Sequence, residues 1–249
     1  PSDKVAWDGN IKKYKVKDSK IVDINDVPAI DPDTGMFVAE TQSAWSDSQD
    51  GSKSTLGGAA NKGTVDRNIF TYLGTNEFQT LSGDEYRFSV SNSKLMEKSD
   101  HAYNSNGNSR NARQSVFMRN IRDDLMNNDT SVKAYLEALS ANDPDRFHSD
   151  LTNLEEFLDW INGKDVFDED ADAITEEPRL TMSDPLHVKP IIVNYDEDDS
   201  TLFISTNDGT LHGIDVNSGE ELFAFVPKEL IKNLYKKAYV NEIGKHQYG

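Results

Sequence analysis

The stretch Thr201 to Pro227, TLFISTNDGTLHGIDVNSGEELFAFVP, constrains the fold more than any other part of the chain. Apolar residues alternate within three short runs, and Asp208-Gly209 and Ser218-Gly219 separate those runs. Such alternation marks half-buried strands, and Asp-Gly and Ser-Gly supply the positive φ that tight hairpin turns require. The pattern predicts antiparallel strands over about Leu202 to Thr206, Thr210 to Val216 and Glu221 to Phe225. A three-strand meander cannot bury both of its faces alone, so it needs neighbouring sheets.

The opening residues supply a related unit. Asp8 to Val16 aligns with Asp208 to Val216: Asp, Gly and Val coincide, and Ile11 and Tyr14 fall in register with Leu211 and Ile214. A second turn follows each copy, at Asp18-Ser19 and at Ser218-Gly219. Two copies of a strand-turn-strand unit predict a propeller blade repeat. Only the second copy has a full strand before it, so the chain is expected to begin inside a blade and to be a fragment of a longer protein.

Composition narrows the partners. With 36% hydrophobic residues and a mean hydropathy of -0.68, long polar loops are expected between the packed elements. A formal charge of -18 argues against nucleic acid or an anionic membrane as partner and favours a divalent cation. The absence of cysteine excludes disulfides, zinc thiolate sites and a cysteine nucleophile. No apolar run approaches the roughly 18 residues of a membrane span, so no membrane insertion is expected, and no signal peptide is visible.

Along the chain, Asp31 to Gly35 is a turn cluster, and Gln42 to Gly63 reads as a long polar surface loop with Trp45 packed back on the body. Strand signals recur at Arg67 to Leu73 and at Tyr86 to Val90, and Ser91 to Arg113 reads as loop. From Arg113 the period changes to that of a helix. Phe117, Ile121 and Leu125 form one stripe, and Val132, Tyr135, Leu136 and Leu139 a second. A third helix, about Asn153 to Asn162, presents Leu154, Phe157, Leu158 and Ile161, with Asp150 or Thr152 to cap it and Gly163 to stop it. Ile191 to Tyr195 is a short strand, and Asp196 to Ser200 an acidic hairpin turn. Pro227 starts a last helix whose apolar face is Leu230, Ile231, Leu234 and Tyr235. The organisation is therefore mainly β with a helical insertion, as one partial propeller domain: 1–112 blade segments with long loops, 113–163 the insertion, 164–249 a blade with an acidic loop and trailing helix.

The sharpest chemical pattern is the acidic loop. Asp168, Asp170, Asp172 and Glu176 stand at relative positions 1, 3, 5 and 9, with a backbone carbonyl available at 7, a spacing that can converge on one calcium ion. Ala173 replaces the glycine that usually permits the sharp turn, and Arg179 stands where a bidentate glutamate would close the site. A metal loop and a solvated acidic loop both fit these residues. His187 and His212 read as strand histidines satisfying backbone groups, and Asp208 and Asp215 as turn residues bonding nearby amides. No nucleophile elbow, Walker loop or HExxH motif occurs, and the sequence offers no active site.

Taken together, Trp160-Ile161-Asn162-Gly163-Lys164-Asp165, the acidic loop, Asp184-Pro185-Leu186-His187-Val188-Lys189-Pro190 and Thr206 to Ile214 resemble the C-terminal propeller domain of PilY-type type IV pilus biogenesis proteins. Gly219 to Leu230, Trp7 to Lys12 and Gly57-Gly58-Ala59-Ala60 fit the same family. The Asp-Gly-x-Leu pattern alone is similar to quinoprotein-type repeats in general. The resemblance implies a modified seven-bladed quinoprotein-like propeller, exported and displayed at the pilus tip or outer membrane of a Gram-negative bacterium. It implies a non-catalytic role in pilus assembly and surface attachment, opposing retraction, with minor pilins as partners. A host or abiotic surface would be met through a missing N-terminal region, and calcium would be bound by an acidic loop, to which Asp168, Asp170, Asp172 and Glu176 correspond in general spacing. The alternatives are a quinone-dependent oxidoreductase fragment, disfavoured by the missing cysteines and short repeat count, and an outer-membrane assembly scaffold.

Overall fold

The computed structural model describes residues 8–72 apart from 52 and 54, isolated positions between 124 and 134, and 150–238 apart from 186 and 187. The strand expected at Tyr86 to Val90, the polar segment Ser91 to Arg113, most of the first two inserted helices, His187 and the tail after 238 lie outside the described residues.

In chain order the elements are β1 (Asp8–Gly9), β2 (Lys15–Lys17), β3 (Lys20–Val22), β4 (Ile69–Phe70), α1 (Asp150–Ile161), β5 (Met182–Ser183), β6 (Ile191–Asn194), β7 (Ser200–Ser205), β8 (Leu211–Asp215) and β9 (Glu221–Phe225). A short 3-10 turn, Lys228–Leu230, then leads into helix α2 at 231–238. The described chain is mainly β.

Its centre is a five-stranded sheet in the order β4-β9-β8-β7-β6. The four strands β6 to β9 form an antiparallel meander, and β4 adds in parallel to β9. The expected turns carry it. Gly209 and Gly219 adopt φ of 91° and 79°, and the Asp215 carboxylate accepts the amides of Asn217 and Ser218, as a turn aspartate should. Gly219 is required twice over, since a Cβ there would meet the Trp45 ring at 2.5 Å.

Strand alternation divides the sheet into two apolar faces. Leu202, Ile204 and Ile214 point to one side and form a buried cluster with Trp45, against which Ile11, Ala59, Val188 and Val216 pack. The opposite side carries Phe203 and Phe223 edge to face at 6.0 Å, both half-buried, with Gly213 between them in register. The outer strand β6 exposes Ile191 (64%), Ile192 and Val193 on both sides.

The helices close one end. Phe157 of α1 meets Tyr235 of α2 at 5.5 Å between ring centroids, and Trp160, Ile161, Ile231 and Leu234 are buried around them. Gly163 ends α1 with φ 102°, its amide bonding the Trp160 carbonyl and the Lys164 amide bonding that of Asp159. This pairing of the last two turns is the Schellman arrangement.

Two expectations change. The first copy of the repeat does not build a counterpart of β8. Asp8–Gly9 pairs with Met182–Ser183, and 10–14 form no strand. Instead the Ile11 and Lys13 carbonyls accept the amides of Ala59 and Ala44, which come from the long loop. The shared turn does form: Lys17 pairs with Lys20 across Asp18 and Ser19, both at positive φ. That loop is also no mere surface strand of chain. Ser43, Ser46 and Asp50 are buried, the Asp50 carboxylate taking both hydroxyls and the Ser43 amide at 2.7 to 2.8 Å, with Lys12 beside it at 3.2 Å. Trp45 packs on the body as expected.

Candidate functional site

Two polar assemblies meet at Trp160. The outer one is the acidic loop between α1 and β5. Its neck is closed by the Asp165 amide on the Glu177 carbonyl at 3.0 Å and by the bridge between Lys164 and Pro178. Asp165 is buried there and its carboxylate accepts the Glu169 amide at 2.9 Å.

Beyond the neck the chain curls tightly. Asp168, Ala171 and Ala173 all take positive φ, so Ala173 adopts, at 70°, the conformation that glycine supplies in calcium loops. The curl draws Asp168, Asp170 and Asp172 together, with one oxygen of each within 4.8 Å of the others. Asp165, Asp170 and Glu177 form a second group at the same separation. The sequence pattern had not included Asp165 or Glu177. The fourth residue it names, Glu176, is turned to Lys164 at 3.0 Å.

Charge crowding acts on two carboxyls of the loop. Burial pushes the Glu177 carboxyl above its ordinary value, and Asp172, Asp170, Asp165 and Asp168 add to the rise. Asp165 is likewise raised, by burial first and by Glu169 and Asp170, against the opposing bond from the Glu169 amide. A divalent cation would reverse both effects, and the hard oxygen donors fit calcium or magnesium.

The inner assembly is a network of buried charges under the sheet. Arg67 holds Glu221 through two bonds, Nε to Oε1 at 2.8 Å and Nη2 to Oε2 at 2.9 Å. The His212 Nδ1 lies 2.6 Å from Glu221 Oε2, and its Nε2 lies 3.2 Å from the Thr206 hydroxyl. His212 therefore bonds side chains, not the backbone groups expected of it. Asp208 accepts the Thr210 amide, as a turn residue would, but also the Ser183 hydroxyl at 2.6 Å, and Ser183 in turn accepts from Lys237.

Burial alone would raise both acids. The charge of Lys237 and the Ser183 hydroxyl outweigh it at Asp208, and Arg67 with His212 outweighs it at Glu221, leaving both well below the usual carboxylate range. A cavity of about 60 Å³ opens among Arg67, Arg179, Lys237, Asp208, Glu221 and His212.

A carboxylate, an imidazole and a hydroxyl in line invite comparison with a nucleophilic triad. The chemistry does not follow. Glu221 is committed to Arg67, and Thr206 is buried, its hydroxyl donating to Asp208 at 2.7 Å. The network holds charge in place; it does not present a nucleophile.

Trp160 joins the two assemblies. Its Nε1 donates to Glu169 at 3.0 Å, and the Arg179 guanidinium stacks on its ring at 4.0 Å. Arg179, the residue found in place of the closing glutamate, thus turns inward, away from the three clustered aspartates.

Sequence reasoning does not single out Arg67, Lys237, Ser183 or Glu221 of this network, and it meets Arg179 only as the residue in place of a closing glutamate. Lys237 left a trace, standing three residues after Leu234 on the apolar side of α2. Arg67 left none. No family model, no curated protein and no solved structure matches the chain. Among the described residues no helix is long and apolar enough to cross a membrane.

Proposed function

We propose that the chain is a non-catalytic assembly and attachment module of a type IV pilus, a segment of a PilY-type propeller that acts with minor pilins at the pilus tip. The observation that carries this reading is the meander β6 to β9. It follows directly on the Asp184-Pro185-Leu186-His187 segment, which resembles that of the pilus family, and both of its faces carry apolar side chains, Leu202, Ile204 and Ile214 on one and Phe203 and Phe223 on the other. A sheet apolar on both faces is what a blade stacked between two others requires.

The acidic loop is the regulatory element of this reading. Asp168, Asp170 and Asp172 supply the oxygens for one calcium ion, Glu177 and Asp165 border it, and calcium there neutralises a loop whose carboxylates repel one another. Glu176 joins only by leaving Lys164. Calcium contributes charge and cross-linking at the loop and no chemistry.

The test is surface piliation. Removing the encoding gene from its bacterium reduces surface pili, and blocking retraction restores them. Unchanged piliation contradicts the reading.

A further inference from the structure

The cavity beneath Trp160 holds one cation that is less completely paired than the others. Arg67 is paired with Glu221, and Lys237 reaches Ser183 and lies 3.9 Å from Asp208. Arg179 has less. Its nearest carboxylate among the described residues, Glu169, is 3.8 Å away and already accepts the indole Nε1 of Trp160. One Nη donates to the Thr181 hydroxyl at 3.1 Å, but the Nε is buried with no hydrogen-bond partner among the described residues. The whole residue is only 9% exposed. A buried donor left unpaired costs about 1–3 kcal/mol, more when charged, so native structures rarely keep one without a ligand or water.

The space beside it is suitable. A water needs roughly 10–15 Å³ on the scale used for cavities, so about 60 Å³ admits several waters or one anion of three or four heavy atoms. Gly63 and Thr64 also line the cavity and are exposed, which gives it a mouth to solvent. Trp160 fixes the plane of the guanidinium, and a planar fork held in one orientation suits a carboxylate or similar oxyanion.

We propose that this cavity binds a small carboxylate or oxyanion, with Arg179 Nε as its principal donor and Lys237 as the second cation facing it. The electrostatics agree. Burial lowers the affinity of Arg179 for its proton, and neighbouring Arg67 adds to this against Glu169, Asp208 and Asp8; burial lowers that of Lys237 too, with Arg179 adding against Asp208, Asp8 and Glu169. An anion between them relieves both. Attraction of anions by the protein as a whole plays no part, since the chain carries -18.

The experiment compares sodium formate and acetate with sodium benzenesulfonate, which is too large for the cavity, at equal sodium concentration. Thermal unfolding of the chain should rise with formate or acetate by about 5 °C and saturate, while benzenesulfonate gives no saturable rise. Saturation-transfer NMR should show formate receiving magnetisation from the wild-type protein. Arg179→Gln and Lys237→Met, checked for folding by near-UV circular dichroism, should each lose the formate-dependent shift. Equal responses to formate and benzenesulfonate, a response to chloride alone, or absence of saturation transfer in the wild type would each overturn the proposal. So would a formate shift that persists in a folded Arg179→Gln variant.

Discussion

The indole Nε1 of Trp45 donates to the carbonyl of Val216 at 3.1 Å, joining positions 171 residues apart. That bond fixes the long polar loop to the end of β8 and sets the Trp45 ring against Leu202, Ile204 and Ile214. The loop is thereby part of the core. Trp45→Ala should cost about 3–5 kcal/mol, the range for emptying a buried aromatic site. Trp45→Phe keeps most of the ring volume and should cost less, chiefly the bond to Val216. Urea unfolding midpoints of the two variants check the order; equal losses would mean that the hydrogen bond, not the packing, holds the loop.

Glu221 is the hinge of the inner network because Arg67 and His212 both rely on it. Replacing it by Gln leaves the mostly buried Arg67 without its partner, which should destabilise by about 3–5 kcal/mol. The double variant Arg67→Met with Glu221→Leu should lose less than Glu221→Gln alone, since no charge is stranded. A double variant that is less stable than the single one contradicts this account of the network.

Acid should unfold the protein through Asp208 and Glu221. Both carboxylates have folded-state affinities for protons below their ordinary values, so the unfolded chain binds more protons than the folded one as pH falls. Their contribution is complete above the ordinary carboxylate pKa of about 4 and is lost as pH drops through that value towards the depressed one. Stability measured from pH 7 to pH 3 should decline in that window, and Asp208→Asn should flatten the decline. A slope left unchanged by Asp208→Asn would remove Asp208 from the explanation.

Asp165 and Glu177 carry the opposite sign. Their proton affinities are raised in the folded state, so without metal their contribution grows as pH falls through the raised values. Calcium competes with those protons, and its affinity for the loop should fall on the order of tenfold between pH 7 and pH 5. Calorimetric titration checks this, with the Asp170→Ala, Asp172→Ala double variant as the control that loses binding. Affinity independent of pH would place the ion elsewhere.

Ala173→Gly offers an independent handle on the same loop. Alanine at φ 70° is strained and glycine is not, so the substitution should stabilise the loop by about 1 kcal/mol and tighten calcium binding. Weaker binding in this variant would show that the curl of the free loop is not the binding conformation.

The strands β6 to β9 were legible because alternation and turn chemistry are local: Asp208-Gly209, Ser218-Gly219 and the apolar runs between them specify the meander without reference to the rest of the chain. The end of α1 at Gly163 was legible for the same reason. The surroundings of Ser43, Ser46 and Asp50 were not, because a buried polar loop has the composition of an exposed one and differs only in long-range partners. His212 and Asp208 were seen as residues but not as a network, since Glu221, Arg67, Ser183 and Lys237 reach them from separate segments. The alignment of Asp8 to Val16 with Asp208 to Val216 located a shared turn and misjudged the strand before it, where Ala59 and Ala44 take the backbone bonds. In the acidic loop the spacing located Asp168, Asp170 and Asp172, while Lys164 draws Glu176 aside.

The measurement that bears most directly on the central claim is retention of the purified, folded chain on immobilised minor pilins of the same bacterium. The pilus-tip account predicts specific retention, competed by free chain. No retention of a chain shown to be folded would contradict it.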